Sequence, residues 1–294
     1  MKTVSGTVFA CWLLLALAAA LAAEPVDLQL RLAPGETRVY AETWRGRGEL
    51  VRHQGETDQK LALEASAENE RVWRVDELTE AGARCRAESR RSKAGLTLVE
   101  ARREYRRERP WRAFALTVGP RGTVGEWEVL APEPPHDQPG ENEPPVDFDL
   151  GELLVLAELG LLPPRPLAVG ERWQWPPPPK QPPAPGEREP RRPVTVSGRL
   201  LTLSEGEQPL ATLETQVQVV LAPRPTAARE ITLNGTLNAV LRVRFATAAG
   251  CVETVDGPLD VSLRYERAGQ AVATVRLGLA VEARRQPPTA GART

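Results

Sequence analysis

The chain has 294 residues, in which 38 lysines and arginines nearly balance 39 aspartates and glutamates, for a net charge of −1. Because the two signs are interspersed, no global field draws the protein to nucleic acid or to an acidic surface. Only two histidines and three cysteines are present, and none are grouped at the short spacing that a zinc site needs. We therefore expect no metal, no cofactor and no nucleic-acid partner.

The first 23 residues have the layout of a secretory signal peptide. Lys2 precedes a short apolar run, residues 8–22, which ends in the small-residue pattern of a cleavage site. We expect cleavage after Ala22 or Ala23. The alternative is an uncleaved anchor, but a spanning helix needs about 20 apolar residues. No later stretch is predicted to span a membrane, so we expect the mature chain to be exported to the periplasm, the cell envelope or the extracellular space.

Residues 24–131 show the period-two alternation of half-buried β-strands, beginning with residues 26–32. Turn-like separators are predicted at residues 80–82, 93–95 and 119–122. Further strands are predicted over residues 38–46, 60–67, 71–78, 83–90, 96–106, 112–118 and 123–129. Strands that recur about every ten residues, with no helical pattern between them, predict an antiparallel meander.

The middle of the chain, residues 132–166, differs in composition from both flanks. Its first part is rich in proline and acidic residues, cannot bury apolar area and predicts an acidic loop. Apolar residues then recur at helical spacing over residues 149–161, and the pair Pro163-Pro164 stops the pattern. We predict one helix here, packed against a sheet face or across the end of a barrel.

Residues 167–285 carry the clearest strand pattern of the chain. The longest alternating run covers residues 229–245, in which Gly235 predicts a bend or bulge. A proline-rich insert at residues 176–193 predicts extended, polyproline II backbone. Residues 286–294 form a polar tail that we expect to be disordered.

The motif Leu-Ala-x-Gly-Glu occurs twice, at residues 32–36 and 167–171. Each copy combines turn residues with the start of a strand-like run. The repeat predicts a chain built as two similar halves, residues 24–131 and 167–285. The predicted fold is all-β, with long antiparallel strands that form a curved sheet, an open barrel or a sandwich.

Few residues of the chain carry recognisable chemistry. His53 and His136 both lie in polar stretches, and the sequence contains no nucleophile elbow, zinc-protease pair or phosphate-binding glycine loop. We therefore predict no catalytic residues and no enzyme. Cys85 and Cys251 remain after signal cleavage, one in each half. Export permits a disulfide between them, and the alternative is two separate buried thiols.

Arginines concentrate in residues 84–112, where glutamates are interleaved with them. On strands this pattern predicts cross-strand ion pairs on a solvated outer face that also guards against edge pairing. The alternative is a basic stripe that docks on an anionic surface such as lipid headgroups.

Three short motifs mark turns and strand starts along the chain. They read L-x-L-x-x-G-x-x-x-x-Y, P-x-G-x-V and L-P-x-x-P-x-x-V-G-x-x-W, and are matched by Leu30, Leu32, Gly35 and Tyr40, by Pro120, Gly122 and Val124, and by Leu162, Pro163, Pro166, Val169, Gly170 and Trp173. In these motifs the chain resembles an uncharacterised family of exported bacterial proteins, known mainly as a domain of unknown function. The resemblance implies an exported β-protein and no functional residues, and the proline insert at 176–193 departs from it. At the level of fold, the layout is also similar to the open β-barrels that carry lipoproteins or lipids across bacterial envelopes.

We therefore expect a non-catalytic protein of the cell envelope that binds a lipid or another hydrophobic ligand in the concavity of its sheet. The alternative is a structural or protein-interaction module of the envelope that has no small-molecule ligand. The sequence leaves the oligomeric state open.

Overall fold

A computed structural model of the chain describes residues 24–54, 57–100, 102–107, 113–130, 161–175, 194–225 and 230–287. These residues form twelve β-strands: β1 (Thr37–Gln54), β2 (Thr57–Thr79), β3 (Gly82–Leu98), β4 (Arg103–Arg107), β5 (Phe114–Val118), β6 (Val124–Val129), β7 (Arg172–Trp175), β8 (Val194–Leu203), β9 (Leu210–Pro225), β10 (Ile231–Ala246), β11 (Cys251–Arg267) and β12 (Gln270–Arg285). Within these ranges there is no helix, so the all-β prediction is confirmed.

The strands form one antiparallel sheet in the order β6-β5-β3-β2-β1-β12-β11-β10-β9-β8-β7, and β4 pairs with the far end of β3. Strands from the first half of the chain lie on one side, and strands from the second half lie on the other. They meet where β1 pairs with β12, from Tyr40–Arg285 to Arg52–Ala273. The sheet is curved and does not close. The exact boundaries of the two predicted halves stay predictions.

The inner face of the sheet carries two groups of buried apolar side chains. The larger one, which we call the main core, combines residues from both sides of the sheet, such as Leu63 of β2, Leu213 of β9 and Val275 of β12. The smaller one, the minor core, comprises Tyr40, Trp73, Val75, Ala83, Cys85, Ala87, Phe114, Leu116 and Val118. Both arise from the alternation of the strands, because every second side chain points to the same face.

Two glycines let β1 and β12 approach each other where the halves join. A Cβ atom on Gly46 would lie 2.0 Å from the carbonyl oxygen of Gly278, and one on Gly48 would lie 1.8 Å from that of Arg276. No other residue fits at such distances without moving the backbone. Glycine at these positions therefore allows the backbones of β1 and β12 to pair this closely.

Residues 26–32 were predicted to form a strand, and this prediction is wrong. The segment makes a single bridge, between Val26 and Leu167. Its other backbone bonds go to separate loops: Leu30 N–H donates to Pro120 O at 2.6 Å, and Arg31 N–H donates to Gly250 O at 2.9 Å. The apolar alternation is real, since Leu28 is fully buried, but the segment crosses the end of the sheet instead of joining a ladder.

The turn predicted at residues 93–95 is also wrong. Strand β3 continues through it, and Gly95 pairs with Ser66 of β2. The chain turns later, where Arg102 N–H donates to Val99 O at 3.2 Å and Arg102 takes a φ of 48°. A single glycine inside a long strand has the same local sequence signal as a turn. By contrast, the irregularity predicted at Gly235 is confirmed by a register shift between β9 and β10 at this point.

Several predicted segments fall outside the described residues. They are the signal peptide (residues 1–23), the proline-rich insert (176–193), almost all of the acidic loop and helix (within 131–160) and most of the tail (288–294). Leu161, the last residue of the predicted helix, is described, and it lies buried in a turn against the main core.

Candidate functional site

The two Leu-Ala-x-Gly-Glu copies fold into the same structure. In the first copy, Glu36 N–H donates to Ala33 O at 3.0 Å, while a Glu36 carboxylate oxygen accepts from Ala33 N–H at 3.0 Å. In the second copy, Glu171 and Ala168 make the same two bonds at 3.1 and 2.8 Å. The motif is therefore a turn closed by its own glutamate.

The glycines of the two turns also match. Gly35 and Gly170 both have positive φ, at 77° and 89°, which glycine adopts without strain. The N–H of Gly35 donates to Val75 O of β2 at 2.8 Å, and the N–H of Gly170 donates to Leu200 O of β8 at 2.7 Å. Each copy thus starts a strand of the sheet.

Arg38 fixes the N-terminal segment over one end of the sheet. Its guanidinium bonds to the Glu36 carboxylate at 2.7 Å and donates to the backbone oxygens of Gly250, at 3.3 Å, and Arg31. Although the side chain is charged, it is buried, because these acceptors replace water. Residues 24–36 consequently form a cover that contacts the loops around residues 120 and 250.

Beneath this cover lies a pocket of about 50 Å³ between the two cores. Its wall is mostly apolar and includes Leu30 and Leu32 of the cover, Trp73 and Val75 of the minor core, and Val252 and Val255 of the main core. Arg38 and Tyr40 also line it, but the Tyr40 hydroxyl donates to Val252 O at 3.1 Å. The wall thus presents mainly carbon to whatever enters.

The size of this pocket limits what it holds. An engineered apolar cavity of about 150 Å³ takes up benzene, so a third of that volume accommodates only a few carbon atoms. The pocket is not fully enclosed, so that a longer chain can continue outside it.

A row of buried polar side chains crosses the inner face between the two cores. Glu42 of β1 lies opposite Asn69 of β2, which lies opposite Ser92 of β3, and Arg71 follows on β2. We call these four residues the polar row. On β1 the row separates Tyr40 of the minor core from the main core, and β2 and β3 are interrupted at the same level.

The polar row is buried and only partly satisfied. Glu42 and Arg71 are each 1% exposed, Asn69 is 5% exposed and Ser92 is 8% exposed. One Glu42 oxygen, Oε2, accepts from Arg71 at 3.0 Å and from the Asn69 amide at 2.7 Å. Glu42 Oε1, Asn69 Oδ1 and Ser92 Oγ have no hydrogen-bond partner among the residues that the structure describes. Buried polar atoms in that state are rare and call for an explanation.

Sequence reasoning missed the polar row, although a signal was present. Glu42 shares strand parity with Tyr40 and the tryptophan that follows it, and Asn69 and Arg71 share parity with Trp73. An acid, an amide and an arginine at inward positions of neighbouring strands mark a buried polar cluster.

Cys85 and Cys251 are both buried, and both are free thiols in this structure. Cys85 lies in the minor core and lines the pocket. Cys251 contacts a charged pair: Arg285 lies 2.8 Å from its sulfur and 2.5 Å from the Glu253 carboxylate. Burial raises the pKa of each thiol to about 11. Both therefore keep their proton at neutral pH, and the predicted disulfide stays a prediction.

The remaining candidates make local contacts on the surface. His53 bonds to Asp58 at 2.8 Å and to Thr274 at 3.2 Å, whereas His136 lies outside the described residues. In the arginine-rich stretch, Arg84 pairs with Glu77 at 3.4 Å, as expected for a solvated outer face. Across the described ranges, no three histidine, cysteine or acidic side chains group as a metal site. The same ranges hold no helix with the length and apolar content to cross a membrane.

Comparisons with known proteins identify no family. Neither a family model nor a curated protein matches the sequence. Solved structures give weak likenesses to DynF from the dynemicin biosynthesis pathway of Micromonospora chersina (8% identity, 91% of this chain and 89% of that one, TM-score 0.23). Others are an outer membrane channel from Pseudomonas putida F1 (11%, 90% and 99%, 0.24) and the translocator domain of autotransporter NalP from Neisseria meningitidis (10%, 95% and 95%, 0.22). At these scores the likenesses carry no argument about this chain.

Proposed function

We propose that this protein is exported to the cell envelope and binds the apolar end of an amphipathic molecule without catalysing a reaction. The pocket between the two cores carries this proposal. Export is supported by the signal-like layout of residues 1–23, and the cover that forms the pocket begins directly after them.

The chemistry of the pocket favours binding of a chain end. Its wall is mostly carbon, and each methylene group that moves from water into it gains about 0.8 kcal/mol. The charge of Arg38 and the hydroxyl of Tyr40 are already bonded to protein groups. A charged head group has no partner at this wall and would stay outside it.

The pocket wall also favours binding over catalysis. Cys85 is the nucleophile that reaches it, and the raised pKa of this thiol keeps it protonated at neutral pH. A thiol in that state is a poor nucleophile.

The test uses the mature chain, residues 24–294, and 1-hexanol as the probe. Binding of the probe is measured by ligand-observed saturation-transfer NMR. We expect saturable binding with a dissociation constant of about 1 mM or tighter, since small ligands gain up to about 1.5 kcal/mol per heavy atom. Val255→Phe, which fills the pocket, should abolish it. Val240→Phe is the matched control, because Val240 lies on the neighbouring strand and is 44% exposed.

Urea unfolding of both variants separates loss of the pocket from loss of the fold. Binding that survives in a folded Val255→Phe variant would refute the pocket as the site. If the wild type does not bind the probe, the interaction module predicted from the sequence becomes the better account.

A further inference from the structure

The cover ties together elements at the two open edges of the sheet. At the first edge, Leu30 N–H donates to the oxygen of Pro120 in the turn between β5 and β6. At the other edge, Val26 exchanges two backbone bonds, of 2.8 and 3.0 Å, with Leu167, which lies shortly before β7. Because the sheet does not close, the cover connects elements that the strand pairing leaves apart.

The side chain of Arg121 clasps the free end of the cover. It lies in the turn between β5 and β6, pairs with Asp27 of the cover at 2.6 Å and donates to Pro163 O at 3.4 Å. The side chains of Asp27 and Arg121 are 40% and 22% exposed, so water competes for the ion pair and its net strength is small. The clasp can therefore break without leaving an unpaired charge buried.

The other end of the cover is fixed more firmly. The turn at residues 33–36 bonds twice to β2: Gly35 N–H donates to Val75 O at 2.8 Å, and Val75 N–H donates to Glu36 O at 2.9 Å. The buried guanidinium of Arg38 adds its bond to the Glu36 carboxylate. The cover is thus anchored to the sheet at one end and clasped at the other, which is the construction of a lid.

The leucines of the cover determine the size of the pocket. Leu30 and Leu32 line it and are half-buried, whereas Leu28 is fully buried in the main core. With these side chains in place the pocket measures about 50 Å³, which is room for a few carbon atoms. When the cover swings away, one wall of the pocket leaves with it, and apolar surface of both cores becomes available to a longer chain.

We propose that residues 24–32 of the cover are a lid, which swings about the turn at residues 33–36 and so admits an alkyl chain longer than the closed pocket holds. This inference rests on the binding function proposed above. Opening breaks the ion pair with Arg121 and the bridge to Leu167, and it lifts the leucines of the cover off the inner face. The alkyl chain then takes their place against the two cores.

A reversible lock on the lid tests this inference. Val26 and Leu167 exchange both backbone bonds, so their Cα atoms lie about 5.5 Å apart, which suits a disulfide. The variant Val26→Cys with Leu167→Cys is compared in its oxidised, locked form and its reduced, free form, so that one chain serves as its own control. Peptide mapping checks that the disulfide joins residues 26 and 167.

The probes are 1-hexanol and 1-octanol, which differ by two methylene groups, and saturation-transfer NMR measures their dissociation constants. In the wild type and in the reduced variant we expect 1-octanol to bind about ten- to fifteenfold more tightly, because the open lid lets both additional methylene groups leave water. In the oxidised variant the difference should fall below about threefold, because those methylene groups stay outside the closed pocket.

Hydrogen exchange measures the opening of the lid without a ligand. The amides of Leu30 and Arg31 should exchange faster than those at the centre of β12, and Asp27→Asn should speed them by about two- to fivefold because it weakens the clasp. Glu49→Gln is the matched control. Glu49 is 37% exposed and pairs with Arg276 at 3.2 Å, but this pair joins β12 to the far end of β1, away from the cover. It should leave the two amides unchanged.

The outcomes separate the lid from the binding function. If the oxidised variant keeps the full preference for 1-octanol, or if the amides of the cover exchange no faster than those of β12, the lid is overturned and the pocket stands as a rigid site. A wild type that binds both alcohols equally also overturns the lid. If neither alcohol binds the wild type, the binding function itself fails, and the lid fails with it.

Discussion

The ion pair in the polar row provides the sharpest test of the fold's energetics. Arg71→Met removes the guanidinium that lies 3.0 Å from Glu42 Oε2 and leaves a carboxylate that is 1% exposed. The remaining bond to Glu42 among the described residues comes from the Asn69 amide. The substitution therefore measures how much free energy of unfolding is lost when a buried carboxylate in this sheet loses its counter-ion.

The expected cost follows from the geometry of the pair. Two unit charges whose centres are about 4 Å apart interact by about 4 kcal/mol at the effective dielectric constant that suits protein sites. Breaking buried pairs by removing one partner costs about 3–5 kcal/mol. With a urea m-value of about 3 kcal/mol/M, the unfolding midpoint should fall by about 1.3 M. Equilibrium urea unfolding, monitored by tryptophan fluorescence, measures this shift.

The double variant Glu42→Leu with Arg71→Met is the control for this experiment. Replacing a whole buried ion pair by apolar residues of similar size is often neutral or stabilising, so the midpoint should return most of the way to the wild-type value. A single variant that shifts by less than about 0.3 M, or a double variant that is as unstable as the single one, would refute the reasoning. The first result would mean that Glu42 is hydrated in the folded protein, and the second that the loss comes from packing and not from the unpaired charge.

Three further predictions concern the thiol, the strand join and the repeated turn. The folded pKa of Cys85 is raised to about 11, above the ordinary 9.0, mainly by burial, so the stability it contributes is full below pH 9 and is lost as pH rises toward 11. Cys85→Ala should therefore flatten the fall in urea midpoint between pH 8 and pH 10.5, and an unchanged slope would contradict the assignment. Gly48→Ala should destabilise the fold by about 1–3 kcal/mol in thermal unfolding, because its Cβ would strike backbone at 1.8 Å. Gly278→Ala, whose nearest atom lies at 3.7 Å, should be tolerated, and equal effects of the two would argue against a tight join. The pKa of Glu171 is lowered, first by the N–H of Ala168 and then by Arg165. The stability that this carboxylate contributes to the fold is present above about pH 4.5 and is lost as the pH falls below it. Glu171→Gln should therefore weaken the acid dependence of stability. An identical acid profile of the variant and the wild type would count against the turn bond.

The repeated turn is the part of the fold that the sequence predicted best. Leu-Ala-x-Gly-Glu combines a glycine that reaches positive φ with a glutamate that caps its own turn, and these are local properties. Local bonds depend on residues close in sequence, so the motif gives the same geometry at Gly35 and at Gly170. For the same reason the irregularity at Gly235 could be predicted.

Predictions that depended on partners far along the chain were weaker. Residues 26–32 alternate like a strand, but their backbone bonds go to Pro120, Leu167 and Gly250, which no local pattern specifies. Gly95 looked like a turn, yet its pairing with Ser66 carries β3 through it. In both cases tertiary pairing outweighed local preference.

The polar row shows why alternation alone did not locate the candidate site. A period-two pattern identifies a buried face, and a single polar residue in it is easily attributed to a bend or an edge. Only the register places Glu42, Asn69 and Ser92 side by side on three strands, and register depends on the lengths of the hairpins between them. In that register, the three polar residues, each an exception to the apolar pattern of its own strand, form one buried cluster that divides the inner face into two cores. The apolar pocket lies between the two cores at one end of the sheet, where the cover, and not another strand, completes the wall. Packing at that end therefore depends on the cover and its loop contacts as well as on the sheet, and this is where the proposed ligand would bind.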